Sequence, residues 1–396
     1  SVFDRDRKDF PYMGRFWRRI PAYGDVRIFD RSYYFDLINN LDMDGDVLER
    51  KLNAIRAYEE ALYADRAIVL KFFIDIPQEE QKERIEKYMD TAYQSFYVDL
   101  YDYDQNENYE AYRAHIDKVL DRTDFPQTPW HILDGSKIKD ASREALGLAL
   151  EALQKGIERV STRREDGVRH HRDYKEKDYI LQNIDMSPVL DRDSYKEKLE
   201  DLQVKSNDVM LRLRKAGIPV ILAFEGVDAA GKDGAIKRLI KEMDPRAYTI
   251  HPISAPDETE HKHHYLWRFY KRFHRKAHLD IFSRSWYGRV MVERIEGFAT
   301  ENEWERAYDE MLRMEKDMAD EGAMILKFFV TIDKDTQLDR FQARENDEDK
   351  QFKITEEDWR NRGRWDDYIE AMNEMLVRTD VALRTLDCTT RNRSVL

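Results

Sequence analysis

The chain is poor in three features that would define its class early. It has 396 residues and one cysteine, Cys388, which excludes an intramolecular disulfide framework and is compatible with the reducing cytoplasm. It contains no uninterrupted apolar run near the roughly 18 residues of a transmembrane helix, and residues 1–10 lack the apolar core of a signal peptide. An excess of positive charge is also missing. The net charge of −13 argues against a general nucleic-acid or membrane binder.

The most informative segment that is present runs from Phe224 to Gly234 and reads FEGVDAAGKDG. It follows the apolar run 218–223 and precedes a helix-like run at 235–240, which is the strand–loop–helix layout of a P-loop. In such a loop, backbone N–H groups and a helix N-terminus face phosphate oxygens. We therefore expect Lys232 to be catalytic and the following residues to form the phosphate-binding loop: Gly226, Ala229, Ala230, Gly231, Asp233 and Gly234.

Two carboxylates make this loop unusual. Asp233 stands where Ser or Thr normally holds Mg²⁺, and Asp228 lies inside the loop. Both would repel a phosphate unless metal ions lay between them, so we predict Asp228 and Asp233 as ligands of Mg²⁺, with Mn²⁺ as a second candidate. Asp228 could instead orient an acceptor phosphate or cap the helix. Glu225, just before the loop, is interpreted as a structural partner.

The chain also repeats itself. Residues 12–19 return as residues 265–272, and Ile28–Tyr34 return as Ile281–Tyr287 at the same offset. Leu70–Ile74 return as Leu326–Val330 at a slightly larger offset. This spacing indicates two tandem copies of one domain. We predict an N-terminal domain over 1–160, a charged linker or arm over 161–194, and a C-terminal P-loop domain, the catalytic one, over 195–396.

Neither copy is complete in sequence. The first has no room for a P-loop before Tyr12, and we expect the chain to be truncated at its N-terminus, because a parallel sheet without that strand would expose an apolar edge. The first copy continues into a closing strand over 128–133 and a helix to about Gly156. The second copy lacks a comparable strand after Asp380, for which a frameshift near the end of the gene is one explanation.

A second group of polar residues follows the apolar run 279–282. This is the layout of a strand that ends in a metal-binding carboxylate, and the first copy shows it as Val26–Asp30. The second copy has Ser283 at that position. Asp280 cannot replace it, since three residues along a strand it points to the opposite face. Ser283 could hold a metal-bound water, or the loop aspartates could hold the metal themselves.

Cations are concentrated between and after these two motifs. Arg284 and Arg289 are predicted to clamp phosphates, with a structural ion pair as the alternative for either. A basic channel or lid for a polyanion is predicted from Arg268, Lys271, Arg272, Arg275, Lys276 and Arg294. The alternative is an ordinary solvated helix face.

Other residues favour structural roles. His261, His263 and His264 are interpreted as polar surface or anion contacts rather than a zinc site, because no second Cys/His group accompanies them. Trp286 and Tyr287 could stack on a base, but their place at a strand end favours the core.

By these motifs the chain resembles the family-2 polyphosphate kinases. The resemblance rests on residues 225–234, on Trp267–Phe269, and on Arg284–Arg289 with Glu293 and Arg294, and covers 195–380 closely and 4–156 more loosely. It implies an α/β fold of two tandem P-loop kinase domains similar to thymidylate kinases, each a parallel sheet flanked by helices with a helical lid. The first domain lacks its P-loop half.

The resemblance also implies a function. Fused two-copy members transfer phosphate from inorganic polyphosphate to AMP with Mg²⁺, and their C-terminal copy is catalytic. Asp228 and Lys232 match the family's essential P-loop positions, and Arg284 and Arg289 match its lid-side arginines, whereas Ser283 departs from the family's usual aspartate. We expect a cytoplasmic polyphosphate:AMP phosphotransferase, with AMP and ADP as nucleotides and a homo-oligomer possible. The alternatives are an ATP-dependent nucleoside monophosphate kinase of the same fold and a non-catalytic polyphosphate-binding or assembly protein.

Overall fold

The computed structural model describes residues 11–162, 180–274 and 277–380, except 92, 94, 96, 97 and 188. The chain divides into two compact units. One runs from Ile20 to Arg164, and the other joins the segment ending at Arg19 to the chain from Glu165 onward. The division at Arg164 lies close to the predicted domain end at 160. Residues 11–19, which we predicted as part of the first domain, group instead with the C-terminal unit.

The reason lies in the packing of the short helix α1 (Gly14–Trp17), all of whose residues are buried. The Trp17 ring stacks on Tyr270 with 5.0 Å between ring centroids and an interplanar angle of 7°. The backbone N–H of Tyr12 also donates to a carboxylate oxygen of Glu321 at 2.6 Å. Aromatic burial of this kind is strong enough to fix a short segment to its neighbour.

The N-terminal unit is built on two parallel strands, β1 (Lys71–Asp75) and β2 (Trp130–Asp134), in the register Lys71 with Trp130. The predicted closing strand is thereby confirmed, and the helix after it continues beyond Gly156. The helices of this unit are α2 (Phe35–Ile38), α3 (Gly45–Ala64), α4 (Gln78–Met89), α5 (Leu100–Glu107), α6 (Tyr109–Thr123) and α7 (Ile138–Thr162).

One strand prediction for this unit is wrong. Residues 26–30 do not form a strand, and the side chains of Val26 and Ile28 are 80% and 86% exposed. In the C-terminal unit, the corresponding strand hydrogen-bonds to a neighbour on each side. The described residues of the N-terminal unit contain no counterpart of those neighbours, so the backbone of 26–30 has no ladder to join, and Asp30 does not end a strand.

The C-terminal unit contains a four-stranded, all-parallel sheet in the order β4–β5–β3–β6. The strands are β3 (Val220–Gly226), β4 (Tyr248–Pro252), β5 (Leu279–Ser283) and β6 (Met324–Val330). Its helices are α8 (Arg192–Lys215), α9 (Lys232–Leu239), α10 (Trp267–Tyr270), α11 (Val292–Ile295), α12 (Glu301–Asp320), α13 (Lys334–Glu345), α14 (Glu356–Gly363) and α15 (Trp365–Thr379). The predicted α/β class, with parallel sheets flanked by helices, is confirmed.

The core of this unit explains why β3 has no polar residue before Glu225. Val220, Leu222 and Phe224 point to one face of the sheet, where they pack with Leu279 and Ile281 of β5 and with Ile236 of α9. Met210 and Leu213 of α8 complete that layer. The last turns of α8 therefore cover one face of the sheet.

A buried ion pair anchors the N-terminal unit. The Glu59 carboxylate, on α3, accepts hydrogen bonds from the hydroxyl of Tyr34 at 2.8 Å and from Nζ of Lys71 at 2.9 Å. Lys71, on β1, also donates to the carbonyl of Thr123 at 2.6 Å. The side chains of Glu59 and Lys71 are almost fully buried, which is tolerable because every charge has a partner.

The C-terminal unit repeats this arrangement at the corresponding positions. Glu315, on α12, accepts from the hydroxyl of Tyr287 at 2.6 Å and from Nζ of Lys327 at 3.0 Å. Lys327, on β6, donates to the carbonyl of Thr379 at 2.7 Å. The sequence repeat is therefore a repeat of buried contacts as well. Among the described residues, no helix is long and apolar enough to cross a membrane.

Candidate active site

The site is centred on the turn between β3 and α9. Gly226 ends β3 at a φ of +150°, and a Cβ atom there would lie 2.1 Å from the carbonyl oxygen of Val330 on β6. Ala229 and Gly231 also have positive φ, 61° and 103°. Helix α9 begins at Lys232 immediately afterwards, with Asp233 and Gly234 in its first turn. The predicted strand–loop–helix layout is therefore present. Only glycine fits at position 226, because any side chain there would collide with the backbone of β6.

Lys232 lies next to a buried carboxylate. The Glu225 side chain is buried, and Oε1 accepts from the backbone N–H of Ser285 at 2.6 Å and from its hydroxyl at 2.7 Å. Burial raises the pKa of Glu225, an effect that the charge of Lys232 opposes. Burial likewise lowers the pKa of Lys232, against the attraction of Glu225. Glu225 therefore ties the loop strand to the residues after β5 and holds a counter-charge for the lysine.

Asp228 faces an arginine from the neighbouring strand end. Its carboxylate is 3.6 Å from a guanidinium nitrogen of Arg284 and accepts from the Asn361 side chain at 3.1 Å. Arg284 has a φ of +64°, and its backbone N–H donates to the Phe224 carbonyl at 3.0 Å. This left-handed turn directs the chain past the loop, and about half of the Arg284 side chain stays exposed. Two predicted site residues are thus brought together.

Ser283 contacts the second loop carboxylate. Its hydroxyl donates to Oδ1 of Asp233 at 2.8 Å. Asp280 lies elsewhere, because its Oδ1 accepts from Nε2 of His251 at 2.8 Å. Ser283 is on the sheet face of Leu279 and Ile281, and Asp280 is on the opposite one, as predicted. A serine and two aspartates thus supply hard oxygen atoms at the loop.

A pocket beside the loop was not predicted. It is lined on one side by loop residues and on the other by helices α13 to α15, including Gln337, Asn361, Trp365 and Tyr368. Gln337 donates to the Asp228 carbonyl at 3.1 Å. Motif reading missed these residues because they lie more than 100 positions along the chain from the loop. A signal that could have found them is the spacing of Asn361, Trp365 and Tyr368, four and three residues apart at the junction of α14 and α15.

Arg289 and Arg294 are paired with acidic side chains. Arg289 donates to Glu293 at 2.6 Å and its guanidinium carbon lies 5.0 Å from the centre of the Tyr265 ring. Arg294 donates to Glu374 at 2.6 Å. Neither residue lines the pocket at the loop. For Arg289 the structural ion pair, which we gave as the alternative, is the arrangement in this structure.

Residues of the predicted basic channel also contact neighbouring side chains and backbone of their own unit. Arg268 is buried, donates to the Ser254 carbonyl at 2.6 Å and lies 3.3 Å from Glu260, which also accepts from Arg272 at 2.7 Å. Lys271 lies over the Trp267 ring at 4.1 Å. In this structure Arg268 is buried against Glu260, and its role in a channel or lid stays a prediction. Arg275 and Lys276 lie outside the described residues.

The core prediction for two aromatic residues is confirmed, and the surface interpretation of one histidine is wrong. Trp286 and Tyr287 are core residues, as favoured. The surface interpretation is wrong for His264, which is buried, 3.4 Å from Glu310 and packed 5.1 Å from the centre of the Trp17 ring. His263 stacks on Trp267 at 3.9 Å, and His261 is exposed. The prediction that the second copy lacks a closing strand concerns residues after Asp380, which lie outside the described residues.

The chain is similar to known polyphosphate kinases in both sequence and structure. The sequence profile of the family described as Polyphosphate kinase 2 (PPK2) matches residues 4–164 and again residues 189–386. A polyphosphate:AMP phosphotransferase of Pseudomonas aeruginosa is 35% identical over 94% of this chain and 76% of its own length. One from Acinetobacter johnsonii is also 35% identical, with the same coverage. A P. aeruginosa crystal structure described as a polyphosphate kinase 2 superposes with a TM-score of 0.79 at 33% identity, over 96% of this chain and 75% of that one.

Proposed function

The chain belongs to the polyphosphate kinase 2 family, and from that premise we propose that it transfers the terminal phosphoryl group of inorganic polyphosphate to AMP, giving ADP. The observation that carries the proposal is the approach of Arg284 to Asp228, 3.6 Å apart, beside Lys232 at the start of α9. Cation, carboxylate and helix N-terminus converge there on one pocket. Relatives at 33–35% identity over 94% of the chain are polyphosphate:AMP phosphotransferases.

We further propose that the two units are tandem P-loop kinase domains of the thymidylate-kinase type with a helical lid, and that the C-terminal one is catalytic. In support, buried contacts recur at corresponding positions in both units. The described residues of the N-terminal unit include two strands, whereas the C-terminal sheet has four, with the loop after β3. The described residues of the N-terminal unit contain no counterpart of the P-loop half of the C-terminal unit, which is β3 with the loop that follows it.

In the proposed reaction, an oxygen of the AMP phosphate attacks the terminal phosphorus of polyphosphate. A new P–O bond forms, the bond to the next phosphate breaks, and the products are ADP and a polyphosphate one unit shorter. The protein contributes positioning and charge neutralisation, as expected for phosphoryl transfer. Lys232 would contact non-bridging oxygens, the N–H groups of the loop and of the first turn of α9 would bind the same group, and Arg284 would neutralise charge on the other side.

A divalent cation fits the oxygen atoms at this site. Asp228 and Asp233 offer carboxylates, and the Ser283 hydroxyl contacts Asp233 at 2.8 Å. Carboxylates with substrate phosphates and waters are the ligands that Mg²⁺ prefers, so we propose these two aspartates as its protein ligands, with Ser283 orienting Asp233. When bound, Mg²⁺ supplies positive charge that lets two carboxylates lie beside a phosphate chain. Mn²⁺ has the same preference for oxygen.

The test is a comparison of phosphate donors with one acceptor. AMP is incubated with the protein and Mg²⁺, once with polyphosphate and once with ATP, and ADP is measured by chromatography. We expect ADP from polyphosphate. Product from ATP alone would indicate a nucleoside monophosphate kinase. Polyphosphate that binds without turnover would indicate the non-catalytic binding protein, and ADP in place of AMP as the acceptor tests nucleotide preference.

Two further expectations stay predictions. One is a cytoplasmic location, with which the single cysteine is compatible, and the other is a homo-oligomer. Neither is needed for the proposed reaction, because the residues assigned to it all come from one unit of one chain.

A further inference from the structure

A second group of metal-binding side chains lies away from the P-loop. His251, His274 and Asp280 each offer one ligand atom, and these three atoms lie within 4.8 Å of one another. We propose that they form a site for a divalent transition metal ion of the Zn²⁺ type, separate from the Mg²⁺ site of the proposed reaction. This inference does not depend on the activity of the chain.

The sheet positions two of the three ligands. His251 is on β4 and Asp280 is on β5, and Thr249 pairs with Asp280 in the parallel register. His251 is therefore two residues further along, on the same face of the sheet as Asp280. His274 comes from the segment that leads into β5. Because these elements are joined by backbone hydrogen bonds, the ligands are held in place before any ion binds.

The hydrogen bonds within the group resemble the inner contacts of a metal site. Oδ1 of Asp280 is 2.8 Å from Nε2 of His251 and 2.6 Å from Nδ1 of His274. The backbone N–H of His274 donates to the other oxygen, Oδ2, at 3.0 Å. Ligand bonds of about 2.0–2.1 Å place tetrahedral ligand atoms roughly 3.3 Å apart. To hold an ion, the Asp280 oxygen would therefore have to move outward from the two ring nitrogens, which lie within 4.8 Å of each other, and each imidazole would carry its proton on the nitrogen turned away from the ion.

The chemistry of the donors selects the ion. Two imidazoles and one carboxylate suit Zn²⁺ and its neighbours such as Co²⁺, whereas Mg²⁺ prefers oxygen ligands alone. The single negative charge of Asp280 is buried, so a cation there would offset its desolvation. A hydrogen-bonded Asp280 without metal is the competing explanation. A hydrogen-bonded carboxylate would be satisfied by one imidazole, whereas here two imidazoles contact the same oxygen atom of Asp280.

The group is accessible from solvent. His251 and Asp280 are buried, but 43% of the His274 side chain is exposed, so an ion has a path from solvent and room for a water as fourth ligand. The ring of a further histidine, His278, lies 4.3 Å from that of His274, and its Nε2 is 2.9 Å from the Thr249 hydroxyl. A bound ion would link β4, β5 and the segment before β5.

The experiment uses the full chain, stripped with chelator and dialysed against Co²⁺ or Zn²⁺ in excess Mg²⁺, which keeps the oxygen ligands of the P-loop occupied. Bound metal is counted by elemental analysis, and Co²⁺ is also followed by its visible absorption. We expect one equivalent bound and a higher melting temperature. His274→Gln should weaken binding more than about 100-fold, because even outer-shell partners contribute about 10–100-fold.

Matched variants decide the outcome. His261→Gln, at an exposed histidine of the same unit, and Asp228→Asn, at the loop, should both leave the bound equivalent unchanged. His274 is half exposed, so His274→Gln should fold normally, which circular dichroism checks. His251→Gln is the second ligand test. Equal Co²⁺ affinity in the chain as it stands and in His274→Gln, or no bound equivalent at all, would overturn the proposal.

Discussion

The two units share their buried framework and differ at the ends of their strands. In both, a helix glutamate accepts from a tyrosine and from a strand lysine, and that lysine donates to a carbonyl at the end of a later helix. The similarity stops at the carboxyl end of β5. The C-terminal unit has Ser283 against a loop aspartate, while Asp30 lies in a segment without a strand. Contacts that fold the domain have been kept in both copies, and the candidate chemistry is found in one.

One pair of residues shows the difference in detail. Arg31 and Arg284 occupy corresponding positions, and both have a left-handed backbone, with φ of 59° and 64°. Arg284 faces the loop carboxylate of Asp228. Arg31 instead lies 3.5 Å from Asp99 and over the Tyr101 ring. The same turn thus presents an arginine to a phosphate loop in one unit and to a helix start in the other.

The largest effect is expected at the loop lysine, which has no counterpart among the described residues of the N-terminal unit. Lys232→Ala should lower kcat for ADP formation at least about 1000-fold, since the lysine neutralises charge in a water-poor site. Lys237→Ala, an exposed lysine on the same helix, serves as the control and should change kcat less than twofold. Substantial turnover by Lys232→Ala would mean that the chemistry does not depend on the C-terminal unit alone.

The shared framework can be tested by removing the same carboxylate from each unit. Glu59→Ala should cost about 3–5 kcal/mol in the free energy of unfolding, because it leaves Lys71 as a buried unpaired charge. Glu315→Ala should cost about 1 kcal/mol less, because 25% of the Lys327 side chain is exposed, against 3% for Lys71. Calorimetry of the two variants measures both transitions. A larger loss in Glu315→Ala would reverse the ranking.

The matched arginines give the next test. Arg284→Ala should lower kcat/KM for polyphosphate about 100-fold, because it removes positive charge from the pocket that Lys232 also lines. Arg31→Ala changes the corresponding residue and should leave kcat/KM within about twofold, since it contacts none of the assigned site residues. Steady-state assays of both variants check this pair. Similar losses in the two would show that the N-terminal unit takes part in the reaction.

The smallest effect is expected at Ser283. Ser283→Ala removes one hydrogen bond to Asp233, worth about 0.5–1.5 kcal/mol, so the rate should fall about 2- to 10-fold and the Mg²⁺ concentration for half-maximal rate should rise. Rates over a series of Mg²⁺ concentrations separate the two effects. A loss above about 100-fold would make Ser283 a direct metal ligand rather than a residue that orients Asp233.

Local pattern was a good guide wherever one segment determines its own structure. The loop, β3 and α8 were predictable because glycine spacing and apolar periodicity act over a few residues. The strand at 26–30 was not, since a strand also needs partners that its own residues do not encode. Burial of Arg268 and His264 depends on Glu260 and Glu310, and the pocket residues Asn361 and Tyr368 reach the loop only through the folded chain.

The contact between Trp17 and Tyr270 has a consequence for where the C-terminal unit begins. These residues occupy corresponding positions in the repeat, yet both belong to that one compact unit, where their rings are nearly parallel. A segment whose sequence belongs to the first copy is therefore packed as part of the second. A fragment that starts after Arg19 would lose this packing and leave the buried Tyr270 ring uncovered.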